Sequence, residues 1–313
     1  MDTVFAPFGY EFFVNGVIAA TMAGGLCGLV GVYVVLRHMA YIGHGLAHSV
    51  FGGAVISHFV VFNVIFAGAV GGSIGYDGPR ESYLFLGAII WGFLSALLIT
   101  LITRMRIIGA DAAIGIITTA SFALGIALIS YTRSFRDFEA QLFGNILGVT
   151  YGDLVTLFAV TVVTSVVFLV GYKQFLFSAF EPEVAGFYGV PTWLTDTIFS
   201  LVLAATIVAS LDVLGVTMIA AAIVIPPIIA RLLTNRFRTM MILSTVTGAF
   251  CGFGGVYVSW VLDISTGASV VIFSSALFVL TLIFNNVKGF RAFGSGARTN
   301  RTGNSRGQAA VFD

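Results

Sequence analysis

The sequence predicts an all-α, polytopic transmembrane helical bundle of about nine spans, with the N-terminus outside and the C-terminus inside. Three observations carry that expectation. Of 313 residues, 58% are apolar and 9% are charged, where an average soluble domain is about 25% charged, and mean hydropathy is +1.03. The apolar residues gather in runs of about 20, the length a helix needs to cross hydrocarbon. The basic residues fall unevenly between alternate connecting segments. So few charges could not cover a water-soluble surface, which excludes an ordinary soluble enzyme, a nucleic-acid binder and a disordered chain. The net charge of +1 gives no bulk attraction to acidic partners.

The spans are expected near 12–36, 43–66, 83–103, 111–131, 154–172, 193–211, 214–233, 240–262 and 267–285. Backbone groups in lipid must be satisfied within the chain, so each is a helix. Asp2 and Glu11 precede the first run without a basic stretch, so no secretory leader is expected. With the N-terminus outside, the inner segments hold Arg37, Arg104, Arg106, Lys173, Arg231, Arg236, Arg238, Lys288, Arg291, Arg298, Arg301 and Arg306. Those are 12 of the 15 Lys and Arg residues, and only Arg80, Arg133 and Arg136 lie outside. The split orients the chain.

In the first and eighth spans, Gly24-x-x-x-Gly28 and Gly248-x-x-x-Gly252 would let helices approach closely. Asp111 opens the fourth span as a helix cap, and Asp196, Asp212 and Asp263 read as interfacial. The outer segment 132–152 places Phe135, Phe138, Leu142, Phe143, Ile146 and Leu147 at helical spacing, which predicts an amphipathic surface helix. The inner segment 173–192 contains Ser178 followed by Glu181 and Pro182, which predicts a capping box opening a short inner helix. The turn at 211–215 is the weakest joint, and its flanking helices could be partly re-entrant. Pro226 and Pro227 must break or kink the seventh span. Residues 1–285 are expected to form one transmembrane domain. Residues 286–313, rich in Gly, Asn, Ser, Thr and Arg, are expected to be a disordered inner tail.

Chemistry concentrates on the second span. His44 and His48 are four residues apart, so a helix stacks both imidazoles on one face. That is the usual geometry for two ligands on one metal ion. An imidazole in a span also serves as a hydrogen-bond partner to a neighbouring helix. Ionisable groups within membranes are costly and mark pathways, and Gly43, Gly45, Gly52 and Gly53 leave room beside the pair. His58 faces about 80° away from His48 and is a weaker second candidate. No Ser/His/Asp set or paired carboxylates appear, and Cys27 and Cys251 are too few for a cysteine metal cluster. Neither Lys173 nor Lys288 belongs to a G-x-x-x-x-G-K-[ST] loop. The chain is therefore expected to be no enzyme, to hold no intrinsic cofactor, and not to hydrolyse nucleotide itself.

Several ordered stretches carry a family resemblance. They are Gly28-Leu29-Val30-Gly31, Leu36 through His48, Ile114-Gly115-Ile116 with Ala123-Leu124-Gly125-Ile126, Phe143-Gly144-Asn145-Ile146-Leu147, Phe180-Glu181-Pro182-Glu183-Val184-Ala185 to Gly189, and Gly215-Val216 with Ile225-Pro226-Pro227 to Ala230-Arg231. Together they resemble the membrane permease subunit of ABC-type zinc, manganese and iron importers over about residues 15–285. The resemblance implies a homodimer in the cell (inner) membrane, with ABC ATPase subunits on the cytoplasmic face and an extracytoplasmic metal-binding protein outside. It implies that metal meets His44 and His48. It also implies that Phe180, Glu181, Glu183, Ala185 and Gly189 couple to the ATPase and that Arg133 and Arg136 face the binding protein. This chain departs where the family usually has aspartate, at His44. Two imidazoles suit zinc and iron(II) better than manganese, so the cargo leans to zinc. The alternative is a stand-alone secondary transporter or channel for a divalent cation, against which the lack of a mid-span carboxylate speaks.

Overall fold

A computed structural model of the chain describes residues 6–60, 80–105, 108–132, 142, 144 and 146–303. Its helices are α1 (Glu11–Leu36), α2 (Tyr41–Phe59), α3 (Arg80–Arg104), α4 (Ala110–Thr132), α5 (Tyr151–Val170), α6 (Tyr172–Phe180), α7 (Pro182–Phe187), α8 (Thr192–Leu214), α9 (Val216–Leu233), α10 (Phe237–Leu262) and α11 (Thr266–Gly303). Among the described residues there is no strand.

Seven helices (α1, α3, α4, α5, α8, α10 and α11) are long and apolar enough to cross a membrane. The sequence predicts nine crossings. The two others have physical reasons for falling short. Helix α2 carries His44, His48 and His58, which depress its hydropathy, and residues 61–66 of the expected span lie outside the described residues. Helix α9 is apolar but short, with its apolar stretch at Met218–Leu233.

Helix α1 is the axis of the bundle: 78% of its apolar window is buried, against 17% for the peripheral α5. Glycine allows this. A Cβ on Gly24 would strike the Gly248 carbonyl oxygen, and one on Gly28 would meet the Ser244 carbonyl oxygen at 2.5 Å. The two predicted glycine motifs therefore interlock, α1 against α10, with backbones in contact. The Ser244 hydroxyl adds a bond to the Gly28 carbonyl oxygen at 2.6 Å.

One end of the bundle is marked by Tyr33, whose ring stacks on Phe168 at 4.4 Å and meets Phe175 at 5.6 Å and Phe237 at 5.4 Å. The C-terminus of α1, the α5–α6 joint and the start of α10 thus share that end. At the opposite end Phe13 packs edge-on against Trp260 at 5.2 Å.

Two local expectations change. Helix α9 runs through Pro226 and Pro227 without interruption. Pro227 supplies no N–H to the Ile223 carbonyl, and Gly31 of α1 sits directly against that oxygen, where a Cα–H can face it. The prolines create a close-packing notch rather than a break. Ser178 caps nothing: it lies inside α6, and α7 begins after Glu181 without a side-chain cap, with Pro182 in its first turn. Helix α11 extends to Gly303. No proline stands there to stop the helix, and each added residue brings a backbone bond.

Other features come into view only here. Thr150 and Asp153 form a reciprocal capping box that opens α5. The 211–215 joint is a one-residue turn, because Gly215 takes φ 74° between α8 and α9. The amphipathic helix expected around 135–147 falls mostly outside the described residues. The described part is Leu142, Gly144 and a short 3-10 turn at Ile146–Gly148.

Candidate functional site

Helix α2 is held by its small residues. A Cβ on Gly45 would come within 2.6 Å of Ile114 and 2.7 Å of Thr118 in α4, and Gly52 lies against the Ser121 carbonyl oxygen of α4. Gly53 lies against Trp91 of α3, and Gly43 faces Ile223 of α9 at 3.3 Å. The Ser49 hydroxyl donates to Ser95 of α3 at 2.5 Å. These contacts fix the rotation of α2 about its own axis. Rotation in turn decides where the histidines face.

His44 and His48 are both half-buried, with ring centroids 4.3 Å apart. The one-face geometry read from their spacing is therefore present. His48 Nδ1 lies 3.0 Å from the His44 carbonyl oxygen. A carbonyl only accepts, so Nδ1 carries the hydrogen, and the neutral ring keeps its lone pair on Nε2. This backbone bond both orients the ring and leaves a ligand atom free, as bonds behind ligating imidazoles commonly do.

Exposure falls along the histidine stripe. Tyr41, 5.6 Å from the His44 ring, is 50% exposed. Phe51 and Val55, one and two turns beyond His48, are buried. The Phe122 ring of α4 packs edge-on to His48 at 4.8 Å and against Phe51 at 5.6 Å. The pair therefore lines a recess that opens toward the start of α2 and is closed by Phe51 and Phe122. Phe122 carries no sequence signal beyond being one aromatic among 30 phenylalanines. Among the described residues, no group of three or more His, Cys, Asp or Glu side chains converges on one point. His58, half-buried near the far end of α2, is not part of the recess.

The second feature is the α6–α7 segment. Phe187 is 93% exposed, Tyr188 78% and Phe180 58%, and Glu181 and Gly189 are exposed too. Ala185 is fully buried, because Val190 N–H bonds back to its carbonyl at 3.0 Å and folds the chain over it. Ala185 therefore packs on the underside of α7. The side chain of Glu183, like Arg133 and Arg136, lies outside the described residues. Gly189 takes φ 78° to reverse the chain. Sequence reading missed Phe187 and Tyr188, although two adjacent aromatics flanking a turn in a non-spanning segment were a visible signal.

Comparison with known proteins adds four findings. A family profile described as the ABC 3 transport family matches residues 9–285. A manganese transport system membrane protein, MntC, from Halalkalibacterium halodurans is 32% identical over 281 residues, covering 90% of this chain and 89% of that one. A probable iron transport system membrane protein from Haemophilus influenzae is 30% identical, covering 91% and 94%. Among solved structures, PsaBC from Streptococcus pneumoniae in complex with Fab superposes with TM-score 0.72 at 29% identity, over 87% of this chain and 91% of that one.

Proposed function

The chain belongs to the ABC 3 transport family, and on that premise we propose that it translocates a divalent first-row metal ion through the recess lined by His44 and His48. It is the permease subunit of an ABC-type metal importer, a multi-pass inner-membrane protein and not itself the ATPase. Nine helices cross the bilayer in this reading, with the N-terminus outside. Arg37, Arg104, Lys173, Arg231, Arg236 and Arg238 then stand on the cytoplasmic side, as basic residues prefer.

The observation that carries the site is the imidazole pair itself: two rings 4.3 Å apart, one with its tautomer fixed by a backbone bond. Two ligands per copy bind a metal loosely enough for release, and two copies supply the passage between them. The donors favour zinc or iron(II) over manganese, while the named relatives are manganese and iron transporters. Iron(II) is the ion for which both considerations speak, and zinc is the ion for which the donors alone speak. ATP-binding subunits dock on the exposed aromatics of α6–α7, and an extracytoplasmic metal-binding protein delivers the ion through the outer segment that holds Arg133 and Arg136.

The test is uptake by proteoliposomes holding the permease and its ATPase, with manganese(II), iron(II) and zinc(II) offered together and the lumen read by elemental analysis. His48→Ala should abolish accumulation while the complex still assembles. Undiminished uptake by that variant rejects the site assignment, and accumulation without ATP rejects the importer reading.

A further inference from the structure

A partly buried ion pair at the Tyr33 end of the bundle has no place in the metal recess. Arg37 Nη1 donates to Asp196 Oδ1 at 2.7 Å. Its Nη2 donates to the Ser178 hydroxyl at 3.1 Å, and that hydroxyl donates to the same Asp196 oxygen at 3.4 Å. The guanidinium carbon stands 4.8 Å over the Phe199 ring. Arg37 is only 11% exposed, and its Nε is buried without a hydrogen-bond partner. A charge this enclosed is retained at a desolvation cost.

The positions of these residues give the cluster its meaning. Arg37 is the residue that ends α1, the axial helix. Ser178 lies on α6, one residue before Ala179 and Phe180 lead to α7, and Asp196 lies in the second turn of α8. Immediately after Arg37, His38 takes φ 55°, an unusual conformation for a non-glycine residue. The Met39 N–H bonds back to the Val34 carbonyl at 3.1 Å, and α2 starts at Tyr41. Three residues therefore separate Arg37 from the helix that carries the histidines, and one hydrogen bond separates it from the segment that bears Phe187 and Tyr188.

We propose that Arg37, Asp196 and Ser178 form the joint that transmits displacement of α6–α7 to the α1–α2 reversal, and so to the His44–His48 recess. They are positioning residues that couple metal movement to ATP hydrolysis. Apolar contacts alone would let α6 slide over α1, since dispersion has no direction. A charged contact held by two guanidinium nitrogens, one on Asp196 and one on Ser178, has fixed geometry, and separating it strands a guanidinium that is only 11% exposed. A shift of α6 is therefore passed to the end of α1 rather than absorbed. The α1–α2 turn that receives it is a tight left-handed reversal with little slack.

This inference rests on the importer reading, and the experiment separates the two. Proteoliposomes with the permease and its ATPase are loaded with manganese(II), iron(II) and zinc(II), and metal delivered is measured per ATP hydrolysed. Asp196→Asn, Ser178→Ala and Arg37→Gln are compared with Arg104→Gln. That control removes a charge at the same end whose one described bond, to Thr192, is exposed and long at 3.4 Å. ATP hydrolysis per complex should stay within about twofold of the parent in all four, while Asp196→Asn and Arg37→Gln should lower metal delivered per ATP about tenfold. Ser178→Ala should lower it by less, and Arg104→Gln should leave it unchanged. Parallel loss of hydrolysis and transport, loss of assembly, or an unchanged ratio in Asp196→Asn and Arg37→Gln each overturn the joint. If the parent complex hydrolyses ATP but moves no metal, the importer reading fails and the joint with it.

Discussion

Phe187 offers the sharpest separation of folding from partner binding. Its side chain is 93% exposed, so Phe187→Ala removes almost no contact within the chain, and the fold should lose under about 0.5 kcal/mol, the range for surface changes. If an ATP-binding subunit covers it, the same substitution forfeits the burial of a phenylalanine, about 1.5–3 kcal/mol. At about 1.4 kcal/mol per decade, that is about a 10- to 150-fold weaker Kd. The assay is titration of the purified ATPase onto the permease in nanodiscs, run alongside the thermal unfolding midpoint of the permease alone. The expected result is an unchanged midpoint with the weakened Kd. The buried neighbour gives the mirror image: Ala185→Leu should lower the midpoint, since overpacking costs about 1–3 kcal/mol. An ATPase affinity unaffected by Phe187→Ala refutes the assignment of α7 as the docking surface. A lowered midpoint refutes the exposure argument.

His48→Ala should abolish metal binding to the isolated permease, read by isothermal titration, and unchanged binding counts against histidine ligation. His44→Asp, which restores the residue the family usually carries, should shift selectivity toward manganese, read as the ratio of manganese to zinc accumulated from an equimolar mixture. Gly248→Ala places a methyl group onto the Gly24 carbonyl and should destabilise the permease by about 1–3 kcal/mol, measured by denaturation in detergent. Gly215→Ala forces a side chain into φ 74° and should cost about 1 kcal/mol or more in the same assay.

Much of this was readable from the residue order. Hydropathy placed the long helices because crossing hydrocarbon is a property of about 20 consecutive residues. The histidine pair was legible for the same reason: four residues of helix turn back to one face wherever the helix sits. A crossing is also expected at 43–66, although the histidines of α2 lower its apolar average. Ser178 misled because a capping box is a pattern of local spacing, whereas the hydroxyl found a stronger partner in Arg37.

What the chain order alone determined is the membrane architecture and the chemistry stacked on α2. What only the tertiary structure decided is where that chemistry points and what it is tied to. The interlocking of Gly24 and Gly28 with Gly248 and Ser244, the closing of the recess by Phe122, the burial of Ala185 and the pairing of Arg37 with Asp196, 159 residues away, all depend on which helices become neighbours. Local periodicity selects the face that a helix will bury. It carries no record of the partner, because that choice is made by shape and charge across the whole bundle.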